Sequence, residues 1–463
     1  MNSLHFFDWT LIAGYFIFIL WVGIFRYKKQ SKTENDFILS GRRLSLFGFI
    51  ATLVTTWYGG ILGVGENTLL YGVQTWFIFA LPYYFFAIIY AFFVAPKIRE
   101  KGFLSLPDHF HNTFGEKAGI TSAIIISFLA SPAPYILSLG VMLQFLFGIE
   151  LGVSLLLSTF ISIVYIWNGG FAAIVSTDRV QFLLMFLGFL SLLIFLIISE
   201  GSPLKLIHEL SPAMLDPLGG NSLQYLLVWF FIASWTFIDP GFYQRCSAAN
   251  NQETAKKGIL YSIFFWALFD FLTLFCGLYA ISIVPHDQAL LTYPLLAFKF
   301  LPAGFLGLFL VGIIATIMST IDSLSLISSI TFGRDILWRI EGTNSNLSPI
   351  SYIKKGLIII SFFGLVISYL LPSVVALFYT LGSVLIPGLI FPFLYSLKQN
   401  QSLDSNGIVW WMIFPIFVSA TWLVLSKLTE QLPFGLEPFY PGMVISLLYY
   451  VLKNIKVIYG NRN

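Results

Sequence analysis

Residues 312–329 read GIIATIMSTIDSLSLISS, a run apolar enough for a bilayer yet carrying Ser319, Thr320, Asp322 and Ser323 at its centre. Polar oxygens at that depth need partners, because hydrocarbon offers none. On a helix, positions one, three and four apart converge on one sector, and hard cations such as sodium take oxygen ligands. The run therefore reads as one wall of an ion site within a membrane transporter. Buried Ser and Thr also bond back to their own helix carbonyls, but that habit does not account for a buried aspartate.

Working outward, the composition fits this setting. Hydrophobic residues make up 57% of the 463 positions and charged residues 10%, with a mean hydropathy of +0.85. That apolar surface exceeds what a water-soluble core buries, and the chain reads as an all-α polytopic membrane protein. Hydropathy places about 13 transmembrane helices, near residues 8–26, 45–72, 75–97, 118–148, 150–167, 173–199, 223–245, 257–284, 303–333, 354–371, 373–396, 409–425 and 436–453. The longest loops, near 200–222 and 334–352, are too short for a soluble domain, so residues 1–463 form one membrane domain.

Basic residues set the orientation. With the amino terminus outside, 22 of the 25 Lys and Arg residues fall on inward loops and helix ends, leaving only Lys205, Lys299 and Lys427 outside. Such a bias supports an odd number of crossings and a cytoplasmic carboxyl terminus in a plasma (inner) membrane. The first apolar stretch follows Asp8, precedes RYKK and lacks a small-residue cleavage site, so it is retained as a helix rather than removed as a signal peptide. The net charge of +3 is explained by cytoplasmic loops and implies no nucleic-acid partner. Cys246 and Cys276 give no disulfide framework. His109 and His111, two apart, point to different helix faces and do not make a metal pair.

Two spans read as discontinuous. The second, at 45–72, is longer than a bilayer requires and holds Gly59, Gly60, Gly63 and Gly65 just after Thr55, Thr56, Trp57 and Tyr58. Glycine at that density either breaks the helix and frees carbonyls or marks close packing through small residues. The seventh, WFFIASWTFIDPGFYQRC, is interrupted at Asp239, Pro240 and Gly241. The two spans enter from opposite sides and stand five apart. Residues 45–199 and 223–396 then form two inverted five-helix repeats, with an extra amino-terminal helix and loop (1–44) and two extra helices (409–453). Interrupted helices at matching places in inverted halves point to a solute site near the midplane.

Several motifs, in order, resemble the sodium:solute symporter family. These are LSLPDHFHNTFG at 104–115, YIWNGGFAAIVSTDRVQ at 165–181, DPGFYQRCSAANNQETAKKG at 239–258, and the ninth span's Met318, Ser319, Thr320, Asp322 and Ser323 followed by Gly333, Arg334 and Asp335. The resemblance implies a leucine-transporter-type fold, no enzymatic activity, and sodium-coupled symport of a small organic solute by alternating access. A monomer suffices for that mechanism. It also implies a principal sodium site formed by the Leu53, Thr56 and Thr316 carbonyls with the Ser319 and Thr320 hydroxyls. A second sodium, bound by some members, would involve Asp178, Ser319, Asp322 and Ser323; Asp178 alternatively caps its helix or pairs with Arg179.

Solute contacts are expected at the breaks, from Trp57, Tyr58, Ser234, Trp235 and Asp239. Further candidates are Tyr135 and Gln144 of span four and Tyr379 and Ser383 of span eleven, although such aromatics also serve as packing or lipid-facing residues. No basic residue lies clearly at the midplane of spans two, four or seven, which favours a neutral or zwitterionic solute. The alternative function is a proton-coupled or uncoupled transporter of the same fold, with Asp178, Asp239 or Asp322 carrying the proton.

Overall fold

The computed structural model describes residues 4–23, 33–341, 347–371, 373–398 and 404–460. The end of the first span with the basic segment after it, Arg462, and the side chains of Tyr165 and Lys456 lie outside the described residues. Among the described residues the regular structure is helical, with one isolated β-bridge between Leu44 and Ala249. Among the described residues nine helices are long and apolar enough to cross a membrane, ten with the bent second span counted as one. The spans expected at 8–26, 150–167 and 436–453 appear as shorter apolar helices, Phe6–Trp21, Leu151–Val164 and Phe439–Lys453.

Span nine forms the axis of the molecule. Its helix runs Phe305–Ser329, and every residue from Leu306 to Ser329 except Leu308 is buried. Span six crosses it closely because small residues face each other: a Cβ on Gly312 would meet the Leu184 carbonyl and the Gly188 Cα. The first span is pinned to the start of span nine, where Asp8 Oδ1 accepts from the Gly304 and Gly307 amides at 2.8 and 2.7 Å. A carboxylate is well placed at a helix N-terminus, whose first amides lack internal partners. Beyond Ser329 the helix widens into π-type turns over Ile330–Trp338. Arg334 there pairs with Glu34 and Asp335, and Asp108 pairs with Arg339. Burial alone would raise the Asp108 carboxyl, but Arg334, the Leu104 amide and Arg339 hold it below its ordinary value.

Span two is broken, as glycine density allowed. Helices Leu46–Trp57 and Ile61–Tyr71 meet at 54°. Span seven comprises helix Leu223–Ile232, a 3-10 stretch Ala233–Phe237 and helix Pro240–Ala248. Asp239 caps the last piece by accepting from the Phe242 amide at 2.8 Å, and Pro240 needs no donor at the first helical position.

One local expectation is corrected. Span four is not one helix but Glu116–Leu129 and Ala133–Phe147. Pro134 supplies no amide hydrogen to the Ala130 carbonyl, which accepts instead from Ser328 Oγ at 2.6 Å, and Ser368 Oγ donates to the Ala133 carbonyl at 2.8 Å. Spans five and six are separated, as expected, at Gly170 (φ 53°, ψ −150°), a non-helical residue within the run Leu151–Glu200. That conformation suits glycine, and a Cβ there would also strike the Phe37 carbonyl.

Candidate functional site

The break in span two leaves the last carbonyls of helix Leu46–Trp57 without helical partners, and span nine presents its hydroxyls to them. Thr320 Oγ1 donates to the Thr56 carbonyl at 2.8 Å and lies 3.4 Å from the Thr316 carbonyl. Ser319 Oγ donates to Asp178 Oδ1 at 2.7 Å and sits 2.9 Å from Thr55 Oγ1. Approach this close depends on Gly59, where a Cβ would run into Thr320 and the Tyr135 ring. The glycines thus serve both purposes that the sequence left open, a break and a close contact. Ser319 and Thr320 of span nine meet Thr55 and Thr56 of span two, although the two pairs lie more than 260 residues apart along the chain.

Asp178 is fully buried in the interior of its helix, so it does not cap that helix, and no ion pair joins it to Arg179. Besides Ser319, it accepts from Thr52 Oγ1. The residue that reasoning from sequence did not bring here is Arg245. Carried on the Pro240–Ala248 helix, its buried guanidinium reaches across to span two, and Nη2 donates to Thr52 Oγ1 at 2.9 Å, Thr56 Oγ1 at 2.7 Å and Ser323 Oγ at 3.0 Å. Thr52 therefore links the Arg245 cation to the Asp178 carboxylate. Its place in the QR pair of the span-seven motif was visible; its reach was not. Asp322 stands apart: it is fully buried, and neither carboxylate oxygen has a hydrogen-bond partner among the described residues.

Beside this cluster lies a cavity of about 150 Å³. Of the residues expected to meet solute, Trp57, Tyr58, Tyr135, Trp235 and Asp239 line it, as do Leu53 and Thr56. Gln144, Ser234, Tyr379 and Ser383 do not. Gln144 is exposed, Ser234 Oγ donates to the Phe231 carbonyl at 2.6 Å, the Tyr379 hydroxyl is bound to Glu437, and Ser383 is buried outside the cavity. Trp76, Tyr83, Trp229 and Asp270 join the lining without having been singled out from sequence. Asp270 had a legible signal, as the lone carboxylate within the apolar span expected at 257–284.

A model of the sodium:solute symporter family matches residues 37–413. The chain belongs to that family. This symporter is 23% identical over 462 residues to the sodium/pantothenate symporter of Haemophilus influenzae, covering 95% of this chain and 94% of that one. It is 22% identical over 474 residues to a sodium/proline symporter of Staphylococcus aureus, covering 95% and 91%. A high-affinity choline transporter of Caenorhabditis elegans matches 38% of this chain and 33% of its own length at 27% identity. Among solved structures, a substrate-bound, outward-open Na+-coupled sialic acid symporter superposes with a TM-score of 0.78 at 18% identity, over 98% of both chains. A nucleobase-cation-symport-1 family transporter in a closed conformation gives 0.60 at 14% identity, over 91% and 95%. The symporter is therefore a multi-pass membrane protein of the leucine-transporter-type fold, and its family transports rather than catalyses.

Proposed function

We propose that this protein imports a small organic solute together with sodium across the cytoplasmic membrane by alternating access. The observation that carries the reading is the meeting of Thr320 Oγ1 with the Thr56 carbonyl at 2.8 Å across two helices distant in sequence. Sodium entering there takes the place of the hydroxyl proton as the carbonyl's partner. Its ligands are the Leu53, Thr56 and Thr316 carbonyls and the Ser319 and Thr320 hydroxyls. Bridging spans two and nine, the ion stabilises the arrangement in which the neighbouring cavity accepts solute. The inward gradient and the membrane potential, worth about 2.3 kcal/mol per charge per 100 mV, drive the cycle.

At the second cation position expected among Asp178, Ser319, Asp322 and Ser323, Arg245 supplies the charge, its guanidinium touching Ser323 and sharing Thr52 with Asp178, while Asp322 has no partner among the described residues. The transport stoichiometry is then one sodium per solute. The boundaries 45–199 and 223–396 delimit the inverted repeats, the amino terminus faces outside, and the carboxyl terminus is cytoplasmic. The named relatives carry pantothenate, proline and choline, which differ in charge, so resemblance alone does not choose the solute.

A proton-coupled reading draws on one observation, the unpartnered buried carboxylate of Asp322, because such a group is either neutral or meets a cation. Uptake of a solute panel into proteoliposomes decides between them. Sodium coupling predicts uptake that collapses when the outside sodium is replaced by potassium. Proton coupling predicts uptake unchanged by that exchange and abolished by a protonophore.

A further inference from the structure

The cavity beside the hydroxyl cluster has an unusual lining for a small-solute site: aromatic faces and carboxylates, with no free base. Trp57 lines it, packed against Tyr83 at 4.6 Å and 70° and Phe242 at 6.2 Å and 79°. The Trp235 indole N–H is engaged by Asp239 Oδ2, which fixes that ring, and Tyr135 is held against Phe378 at 5.7 Å. Asp239 and Asp270 bring two carboxylates to the same walls. Asp239 accepts from Trp235 and from the first amides of its helix, and Asp270 accepts from the Tyr84 hydroxyl. Both carboxylates thus accept hydrogen bonds from donors in the cavity wall.

The one base at the cavity, Arg245, has both Nη atoms engaged, while its Nε has no partner among the described residues. Nη2 is shared among Thr52, Thr56 and Ser323, Nη1 donates to the Gly241 carbonyl at 3.2 Å, and Asp178 balances its charge through Thr52. Elsewhere in the chain lysines sit over aromatic rings, such as Lys256 over Phe92 and Lys354 over Trp167. Among the described residues no Lys or Arg lies over Trp57, Tyr83, Tyr135 or Trp235. No cation of the described residues therefore occupies these π-faces.

We infer that the solute is a small organic cation, its alkylated ammonium head lodged among Trp57, Tyr83, Tyr135 and Trp235 and opposed by the Asp239 and Asp270 carboxylates. Aromatic faces attract a cation through their quadrupole, most strongly where water is excluded, and stacked aromatic walls are the usual housing for quaternary ammonium groups. Alkylation matters because a primary ammonium needs three acceptors, which rings do not provide, whereas a trimethylammonium head needs none. The indole N–H groups of Trp76 and Trp229 also line the cavity, and among the described residues they have no hydrogen-bond partners. They would donate to a hydroxyl or ether oxygen on the tail. The inference deepens the solute-import reading above and replaces the neutral or zwitterionic expectation with a cationic one. An anionic solute would meet Asp239 and Asp270 with no uncommitted base to offset them.

The test uses the full-length purified protein and two probes of equal shape, choline and its uncharged carbon isostere 3,3-dimethylbutan-1-ol. Thermal stabilisation is measured in sodium and in potassium. Choline is expected to stabilise at least tenfold more potently than the alcohol. Trp57→Leu and Asp270→Asn are each expected to weaken choline at least tenfold, Trp57→Phe to keep most of the response, and sodium alone to stabilise every variant as it does the parent. Equal potency of the two probes, or no response to millimolar choline while proline or pantothenate does stabilise, overturns the inference. Choline stabilisation indifferent to sodium supports the cationic solute and refutes the sodium coupling, so the two readings fail separately.

Discussion

Gly59→Ala and Gly63→Ala make a matched pair of perturbations in one broken helix. At Gly59 the added methyl would collide with the Thr320 side chain and with Tyr135, at separations real Cβ atoms do not adopt. At Gly63 the nearest atoms, in Val374 and Val375, are 3.4 Å away, an ordinary contact. Overpacking of the first kind costs about 1–3 kcal/mol, and here it falls on the approach of span two to span nine. If sodium needs both helices together, the strain is subtracted from sodium binding. At about 1.4 kcal/mol per decade, the half-saturating sodium concentration rises roughly 5- to 150-fold in Gly59→Ala. Gly63→Ala leaves it within about twofold, since its new methyl meets no clash. The assay is sodium-dependent stabilisation of each purified variant, with unfolding temperature in potassium as the control for global damage. If Gly59→Ala folds and binds sodium with the parental half-saturation, the proposal that these two helices jointly hold the ion is wrong.

Other substitutions probe the surrounding supports. Arg245→Gln leaves Asp178 buried without its counter-charge and should cost about 3–5 kcal/mol of stability; adding Asp178→Asn should restore part of it in a thermal melt. Ser368→Ala removes the donor to the Ala133 carbonyl at the span-four break and should cost about 1 kcal/mol, with sodium half-saturation unchanged. His109, in the helix Leu106–Phe114, is buried between Tyr243 and Ser396. Burial, with Lys101 as the next contributor, holds its imidazole down at about 3. The unfolded chain binds that proton below about pH 6.5 and the folded chain does not. Stability from this site is therefore complete above that pH and falls by about 1.4 kcal/mol per unit on acidification toward the folded value. His109→Gln should flatten that part of the stability curve, read from unfolding temperature against pH.

The sequence disclosed most where polarity stood out against an apolar background. Ser319 and Thr320 in span nine, the glycines of span two and the Asp239–Pro240 break could each be read locally, since a polar or helix-breaking residue in a membrane run needs a reason. What escaped were features decided by neighbours distant in the chain. The break in span four was hidden because prolines are tolerated in membrane helices, and only Ser328 and Ser368, from two other spans, complete its hydrogen bonds. Helical spacing grouped Asp322 with Ser319 and Ser323, yet Ser323 meets Thr56 and Arg245 while the Asp322 carboxylate meets no donor. Facing was equally opaque: nothing in the sequence of span four says that Tyr135 lines the cavity while Gln144 is exposed. Arg245 looked like a basic residue at a helix end and instead spans the distance to the ion cluster, which only the packing of span seven against span two fixes.

The most direct measurement is equilibrium binding of radioactive sodium to the purified, solute-free protein and to Thr320→Ala. The account predicts saturable binding of about one ion per chain, weakened in the variant by roughly tenfold or more, the cost of losing one charge-assisted contact, with folding retained. Sodium binding to Thr320→Ala with the affinity of the parent, or no saturable binding to either protein, would contradict it.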